Sequence, residues 1–76
     1  MNYDLAMMAL EGLSRSPIAV RVDGGTITIE GQAAGLKDLA RLFLLLGGAD
    51  APEDAFELQP GVHVQAGSPA LRLQLS

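Results

Sequence analysis

The sequence predicts a single α+β domain, a two-layer sandwich in which a mostly antiparallel four-stranded sheet packs on a central helix. Two observations predict this fold class. Residues 33–46 carry apolar side chains at helical spacing, and residues 18–30 and 61–75 each contain two alternating runs separated by turn residues, a pattern typical of β-hairpins. With a second helical segment at residues 3–14, the predicted element order is α-β-β-α-β-β.

The first predicted helix, residues 3–14, is rich in helix formers and almost uniformly apolar. Asp4 and Glu11 alone mark a polar side, so the helix must lie against the sheet or against a second chain. Core packing is the simpler interpretation. Met8 is the candidate for contact with a second copy, because methionine adapts to irregular surfaces.

The first hairpin follows from two runs of alternating residues within 18–30. Ile18, Val20 and Val22 alternate with polar or small residues, and Thr26, Thr28 and Glu30 alternate with two isoleucines. The intervening Asp-Gly-Gly tolerates the positive φ that a tight turn requires. Each strand is therefore predicted to be apolar on one face and polar on the other.

The central helix, residues 33–46, is predicted to face the core with a stripe at i, i+3, i+4, i+7 and i+10 and to end at Gly47-Gly48. The stripe consists of Leu36, Leu39, Ala40, Phe43 and Leu46. Lys37, Asp38 and Arg41 lie together on the opposite side. Leu42, Leu44 and Leu45 border or interrupt this polar side, and they are the candidate self-association residues of the helix.

The loop at residues 49–58 holds four acids, Asp50, Glu53, Asp54 and Glu57, and no base. The simpler interpretation is a solvated connection in which Asp50 and Glu53 form a capping box on one helical turn. The alternative is an acidic patch that docks a basic partner. Phe56 and Leu58 could also begin a further short strand.

The second hairpin is predicted within residues 61–75, after a Gln59-Pro60-Gly61 turn of type II. His63 falls on the exposed polar face of its third strand, where it is a candidate partner-binding residue rather than a catalytic base. The predicted inward-facing set of the sheet is Ile18, Val20, Val22, Ile27, Ile29, Val62, Val64, Leu71, Leu73 and Leu75.

Composition restricts the function classes. A chain of 76 residues buries only about 60% of its unfolded surface and needs support from disulfides, a metal or oligomerisation. Cysteine is absent and there is one histidine, which leaves oligomerisation, and the 49% hydrophobic content agrees. The net charge of −4 without a basic cluster argues against nucleic-acid binding. No apolar run is long enough to span a bilayer, so we expect a cytoplasmic protein. We also expect the protein to hold neither a cofactor nor a metal.

An enzyme is the least favoured class, because one histidine, scattered turn serines and no cysteine offer few catalytic groups. A homodimeric scaffold remains the alternative to a domain that binds a different protein. It would use the apolar helix faces, whereas a binder would use the acidic loop or the exposed sheet face.

Four segments of the chain resemble a family of small bacterial immunity proteins of polymorphic toxin systems. They are the T-I-x-G end of a strand at 28–31, the leucine-rich helix at 35–46, G-x-H at 61–63 and G-S-P-x-L-x-L at 67–73. The resemblance implies a non-enzymatic protein that binds and neutralises a cognate toxin. If that toxin is a basic domain, the acidic loop would speed association through long-range attraction.

Overall fold

The computed structural model of the chain describes residues 2–48 and 54–76. Its elements are α1 (Asn2–Arg15), β1 (Ala19–Asp23), β2 (Thr26–Glu30), α2 (Ala33–Leu46), β3 (Ala55–Leu58) and β4 (Leu71–Gln74). The α+β class and the α-β-β-α-β-β order are confirmed. The predicted capping box of Asp50 and Glu53 lies outside the described residues.

The two helices lie antiparallel and pack side by side. Gly12 of α1 lies next to Asp38 of α2, and the end of α1 at Ser16 approaches Gly35 in the first turn of α2. Leu5, near the start of α1, shares a cavity with Leu44 and Leu45 at the end of α2. The predicted bounds of the central helix are confirmed, and the first helix is one residue longer at each end than predicted.

β1 and β2 form the predicted antiparallel hairpin, with Val20 opposite Ile29 and Val22 opposite Ile27. The turn residues Gly24 and Gly25 both have positive φ, 55° and 85°. A two-residue loop with this geometry is the type I′ turn, whose twist matches that of the strands. The hairpin that the Asp-Gly-Gly signal predicted is therefore confirmed.

β3 and β4 form a separate two-stranded antiparallel sheet, with Phe56 opposite Leu73 and Leu58 opposite Leu71. The described residues thus contain two small sheets, and the predicted four-stranded sheet and sandwich are wrong. Phe56 and Leu58 do belong to a strand, as the sequence suggested. The partner of the last strand is this segment rather than residues 62–66, so the hairpin predicted at 61–75 is also wrong.

Residues 59–68 form successive turns in place of the predicted third strand. The carbonyl oxygen of Gln59 accepts hydrogen bonds from the N–H groups of Val62, His63 and Val64 at 3.0–3.2 Å, which curls the chain tightly. Gly61 has φ 82°, as the third position of the predicted type II turn requires. The alternation of apolar and polar residues wrongly predicted a strand here, because the backbone groups form hydrogen bonds within the segment rather than with a neighbouring strand.

Hydrogen bonds join this turn segment to the start of β1. The N–H of Ile18 donates to the carbonyl of His63 at 3.2 Å, and the N–H of Gln65 donates to the carbonyl of Ile18 at 2.7 Å. The N–H of Val20 donates to Ser68 Oγ at 3.2 Å. These bonds bring the turn segment and the first hairpin together.

One hydrophobic core joins the helices, the base of the first hairpin and the second sheet. Its buried members are Ala6, Ala9, Leu13, Ile18, Val20, Leu39, Leu42, Leu46, Phe56, Leu58, Val64 and Leu73. Of the predicted inward set, Ile18, Val20, Val64 and Leu73 are buried and Leu71 is partly buried. The prediction is wrong for the other five, which are exposed: Val22, Ile27, Ile29, Val62 and Leu75.

The buried face of α2 is rotated relative to the predicted stripe. Gly35, Leu39, Leu42 and Leu46 are buried, whereas Leu36, Ala40 and Phe43 of the predicted stripe are exposed. The helix is apolar around more than half of its circumference, so its periodicity permits more than one inward face. The close approach at Gly35 selects the observed face.

No helix in the part of the chain that the structure describes is both long enough and apolar enough to cross a membrane.

Candidate functional site

The outer side of the helix pair carries a groove between α1 and α2. One cavity of about 300 Å³ is lined by Leu5, Met8, Ala9, Gly12, Arg15, Asp38 and Arg41, and an adjacent one of about 300 Å³ by Leu5, Arg41, Leu44 and Leu45. The two cavities share Leu5 and Arg41, so they form one continuous depression along the helices. We call this feature the helix groove.

Two glycines set how closely the helices approach beneath the groove. A Cβ at Gly35 would lie 2.6 Å from the carbonyl oxygen of Ser16, and a Cβ at Gly12 would overlap the Asp38 carboxylate. The Asp38 side chain is therefore only 14% exposed, and it accepts a hydrogen bond from Arg41 as an ion pair. The prediction that Asp38 lies on the solvent-exposed side of the helix is wrong, because the Asp38 side chain packs against α1.

Three of the four predicted self-association residues line the helix groove. Met8 is 65% exposed and Leu44 is 75% exposed, while Leu45 is partly buried against the core. Leu42 is fully buried inside the chain's own core, so it is not available to a second chain. The structure brings the other three together from two separate helices, which no single sequence pattern could establish.

Charges of opposite sign flank the helix groove. Asp4, Met8, Glu11 and Arg15 recur at i, i+4, i+7 and i+11 along the exposed side of α1. Lys37, Arg41 and Leu44 recur at i, i+4 and i+7 along the exposed side of α2. We call these the α1 stripe and the α2 stripe. Each contributes an apolar side chain to the groove. The α1 stripe carries two acids and Arg15, a net charge of −1, whereas the α2 stripe carries two bases, a net charge of +2.

The acidic segment is only partly described, because Asp50 and Glu53 lie outside the described residues. Asp54 is exposed, and its carbonyl oxygen accepts a hydrogen bond from Leu75 N–H at 2.8 Å. Glu57 accepts hydrogen bonds from Arg72 at 3.2 Å and from Gln59 at 2.9 Å. The charge of Glu57 is thus largely compensated, which leaves Asp54 as the freer of these two acids.

His63 lies in the turn segment and is partly buried, not on an exposed strand face as predicted. Its Nδ1 accepts a hydrogen bond from the N–H of Gln59 at 3.2 Å, and its backbone bonds to Gln59 and Ile18. Desolvation by burial lowers the pKa of the His63 imidazole and favours the neutral form that this hydrogen bond requires. These contacts give His63 a role in ordering the turn.

A cavity of about 560 Å³ lies where α1, the first hairpin and the turn segment meet. Its polar lining includes Arg15, Ser16, Arg21, Glu30, Gln32 and Gln65. Arg21 pairs with Glu30, and the Ser16 hydroxyl donates to Gln32 Oε1 at a long 3.4 Å. The one histidine does not line this cavity, so the serine has no imidazole beside it there, and the carboxylate of Glu30 is paired with Arg21.

No group of three or more residues in the described ranges 2–48 and 54–76 is placed to hold a metal ion. Comparison of the chain with protein-family models, curated proteins and solved structures gave no significant match.

Sequence reasoning missed Leu5 as a member of the groove. Leu5 precedes Met8 and Gly12 by three and seven positions, so helical spacing could have placed the three on one flank of α1. It could not have shown that this flank adjoins Arg41 and Leu44, because that depends on how the two helices pack.

Proposed function

We propose that the chain is a non-enzymatic protein-binding domain that docks a partner through the helix groove and its two stripes. The observation that carries the proposal is the exposure of Leu44, Met8 and Leu5, at 75%, 65% and 49%, around one depression. Fully covering a leucine or methionine side chain is worth about 1.5–3 kcal/mol each. Three such side chains in one place favour a covered surface.

The shape and charge of this surface also support protein binding. An apolar centre bordered by exposed charges is the usual anatomy of a protein interface. The two helices present a rigid platform, since each is fixed by buried residues on its inner side. The lining of the cavity of about 560 Å³, with a paired Arg21 and Glu30 and no histidine, is the reason that we propose no catalytic activity.

Site-specific photo-crosslinking tests the proposal. A photoreactive phenylalanine analogue is placed at Met8 or Leu44, and the control is Thr28, an exposed position on the first hairpin. In the cells that naturally make the protein, we expect adducts of one defined mass from positions 8 and 44 and none from position 28. Equal labelling from all three positions, or none from the groove, would contradict the proposal.

Neutralisation of a cognate bacterial toxin in the cytoplasm is the second candidate, in line with the family resemblance. The observation that favours it is the exposed Asp54 in a segment whose sequence adds Asp50 and Glu53, within a chain of net charge −4. Attraction between this acidic surface and a basic toxin domain would steer their encounter.

The same crosslinking experiment separates the two candidates. Gln74 is exposed and pairs with Ala55 next to Asp54, so a photoreactive residue at position 74 probes the acidic surface. An adduct from position 74 that mass spectrometry identifies as a toxin domain would support the second candidate. Adducts from positions 8 and 44 alone would favour the helix groove and count against it.

A further inference from the structure

We infer that the partner in the helix groove is a second copy of this chain, arranged so that α1 of each copy lies on α2 of the other. This inference rests on the proposed function and names its partner. Two helix pairs stacked face to face would form a four-helix bundle, an architecture that buries the apolar stripes of adjacent helices against one another. The charges on the two stripes distinguish between the possible two-fold arrangements.

A two-fold axis in the plane of the groove can run along the helices or across them. An axis along the helices places α1 on the α2 of the second copy, and an axis across them places α1 on α1 and α2 on α2. The α1 stripe contains Asp4 and Glu11, and the α2 stripe contains Lys37 and Arg41. Arg15 also belongs to the α1 stripe, so the first arrangement sets a stripe of net charge −1 against one of net charge +2, and the second sets each stripe against itself. Opposite net charges therefore meet in the first arrangement and like net charges in the second.

The positions of the charges along the helices match the first arrangement. Within one chain Gly12 lies beside Asp38, and rotation about an axis along the helices keeps each residue at the same height. Glu11 of one copy then reaches the level between Lys37 and Arg41 of the second copy. Met8 reaches the level between Arg41 and Leu44. Glu11 thus meets bases and Met8 meets leucine, whereas Arg15 reaches the level of Gly35 and gains no acidic partner.

Of the charges that this arrangement uses, only Arg41 is already paired within its own chain, with Asp38. The ion pairs of the described residues join Arg21 to Glu30, Arg41 to Asp38 and Arg72 to Glu57. Asp4, Glu11 and Lys37 take part in none of these pairs, and all three side chains are exposed. All neighbouring helices of the resulting bundle would run antiparallel, because α1 and α2 already do so within each copy.

Mixing two charge-reversed variants tests the arrangement. Glu11→Lys alone sets lysine against Lys37 of the second copy, and Lys37→Glu alone sets glutamate against Glu11. Each single variant changes two symmetry-related contacts from attractive to repulsive, so we expect about a 10- to 100-fold weaker dimer at low salt. In an equimolar mixture the heterodimer has Lys–Glu and Glu–Lys contacts, and we expect affinity near that of the unsubstituted protein.

Sedimentation equilibrium supplies the dissociation constants, and circular dichroism checks that each exposed substitution leaves the fold intact. A mixture no tighter than the single variants would overturn the arrangement, because charge pairing within one chain predicts that result. A dimer strengthened by Glu11→Lys would also overturn the arrangement, because Glu11 would then not lie against the bases of the second copy. A monomeric unsubstituted protein, combined with crosslinks from Met8 to a different protein, would reject the second copy while leaving the proposed function standing.

Discussion

At the residue scale, Gly35 is the position on which the geometry of the helix groove depends most. It lies in the first turn of α2, and a methyl group there would lie 2.6 Å from a backbone oxygen that cannot rotate away. Gly12 is also crowded, but its neighbour is the Asp38 side chain. These two glycines therefore respond differently to the same substitution.

We expect Gly35→Ala to destabilise the fold by about 1–3 kcal/mol, because the two helices must move apart despite the gain in helix propensity. Gly12→Ala is the matched control, and we expect its cost to stay below about 1 kcal/mol because the Asp38 carboxylate can turn towards solvent. Urea unfolding of both variants at one protein concentration measures the difference. Equal costs at the two positions would contradict the described helix packing.

At the element scale, α2 shows what a helical apolar pattern does and does not predict. Its existence and bounds followed from the leucine spacing and the two glycines after Leu46. Its inward face did not, because Leu42 and Phe43 are both apolar and adjacent, and only tertiary packing decides between them. The structure buries Leu42 fully and leaves Phe43 51% exposed.

Paired alanine substitutions test this choice of face. We expect Leu42→Ala to cost about 2–5 kcal/mol, the usual range for removing a fully buried leucine. Phe43→Ala should cost less than about 1.5 kcal/mol, although the side chain removed is larger, because half of it already contacts water. Thermal or urea unfolding compares the two variants directly. A larger loss of stability for Phe43→Ala than for Leu42→Ala would contradict the observed packing and favour the inward face predicted from the sequence.

For the strands too, the local sequence predicted some pairings, whereas others depend on residues far apart in the chain. The Asp-Gly-Gly turn predicted the first hairpin because its glycines readily adopt the positive φ that the turn requires. The pairing of β3 with β4 was not predictable, since the two strands are separated by the turns of residues 59–68. The alternation of Val62 and Val64 imitated a strand although Gln59 organises that segment as turns. Likewise, the sequence identified Met8 and Leu44 individually as candidate self-association residues, but it did not predict that they line the same groove.

At the scale of the whole molecule, a large share of the apolar surface lies outside the core. The accessible surface is 4901 Å², whereas scaling for a compact monomer of 7.9 kDa gives about 4,400 Å². Tyr3, Val22, Ile27, Phe43 and Leu44 are all more than half exposed in addition to Met8. A chain this small gains stability when such surface is covered, and it has no cysteine for disulfide support.

The helix groove is the part of this surface that the charges mark as self-complementary. A substitution at its most exposed leucine should therefore change the mass of the protein without unfolding it. Leu44→Glu places a carboxylate within the proposed interface, where it would be buried without a dedicated partner. Val62→Glu is the control, because Val62 is a 47% exposed apolar residue on the turn segment away from the groove.

Sedimentation equilibrium of these three proteins is the most direct measurement of the central claim. We expect about twice 7.9 kDa for the unsubstituted protein and for Val62→Glu, and a single-chain mass for Leu44→Glu. A dimer that survives Leu44→Glu while remaining folded would place the interface elsewhere. An unsubstituted protein that sediments as a single chain would contradict the two-fold arrangement itself.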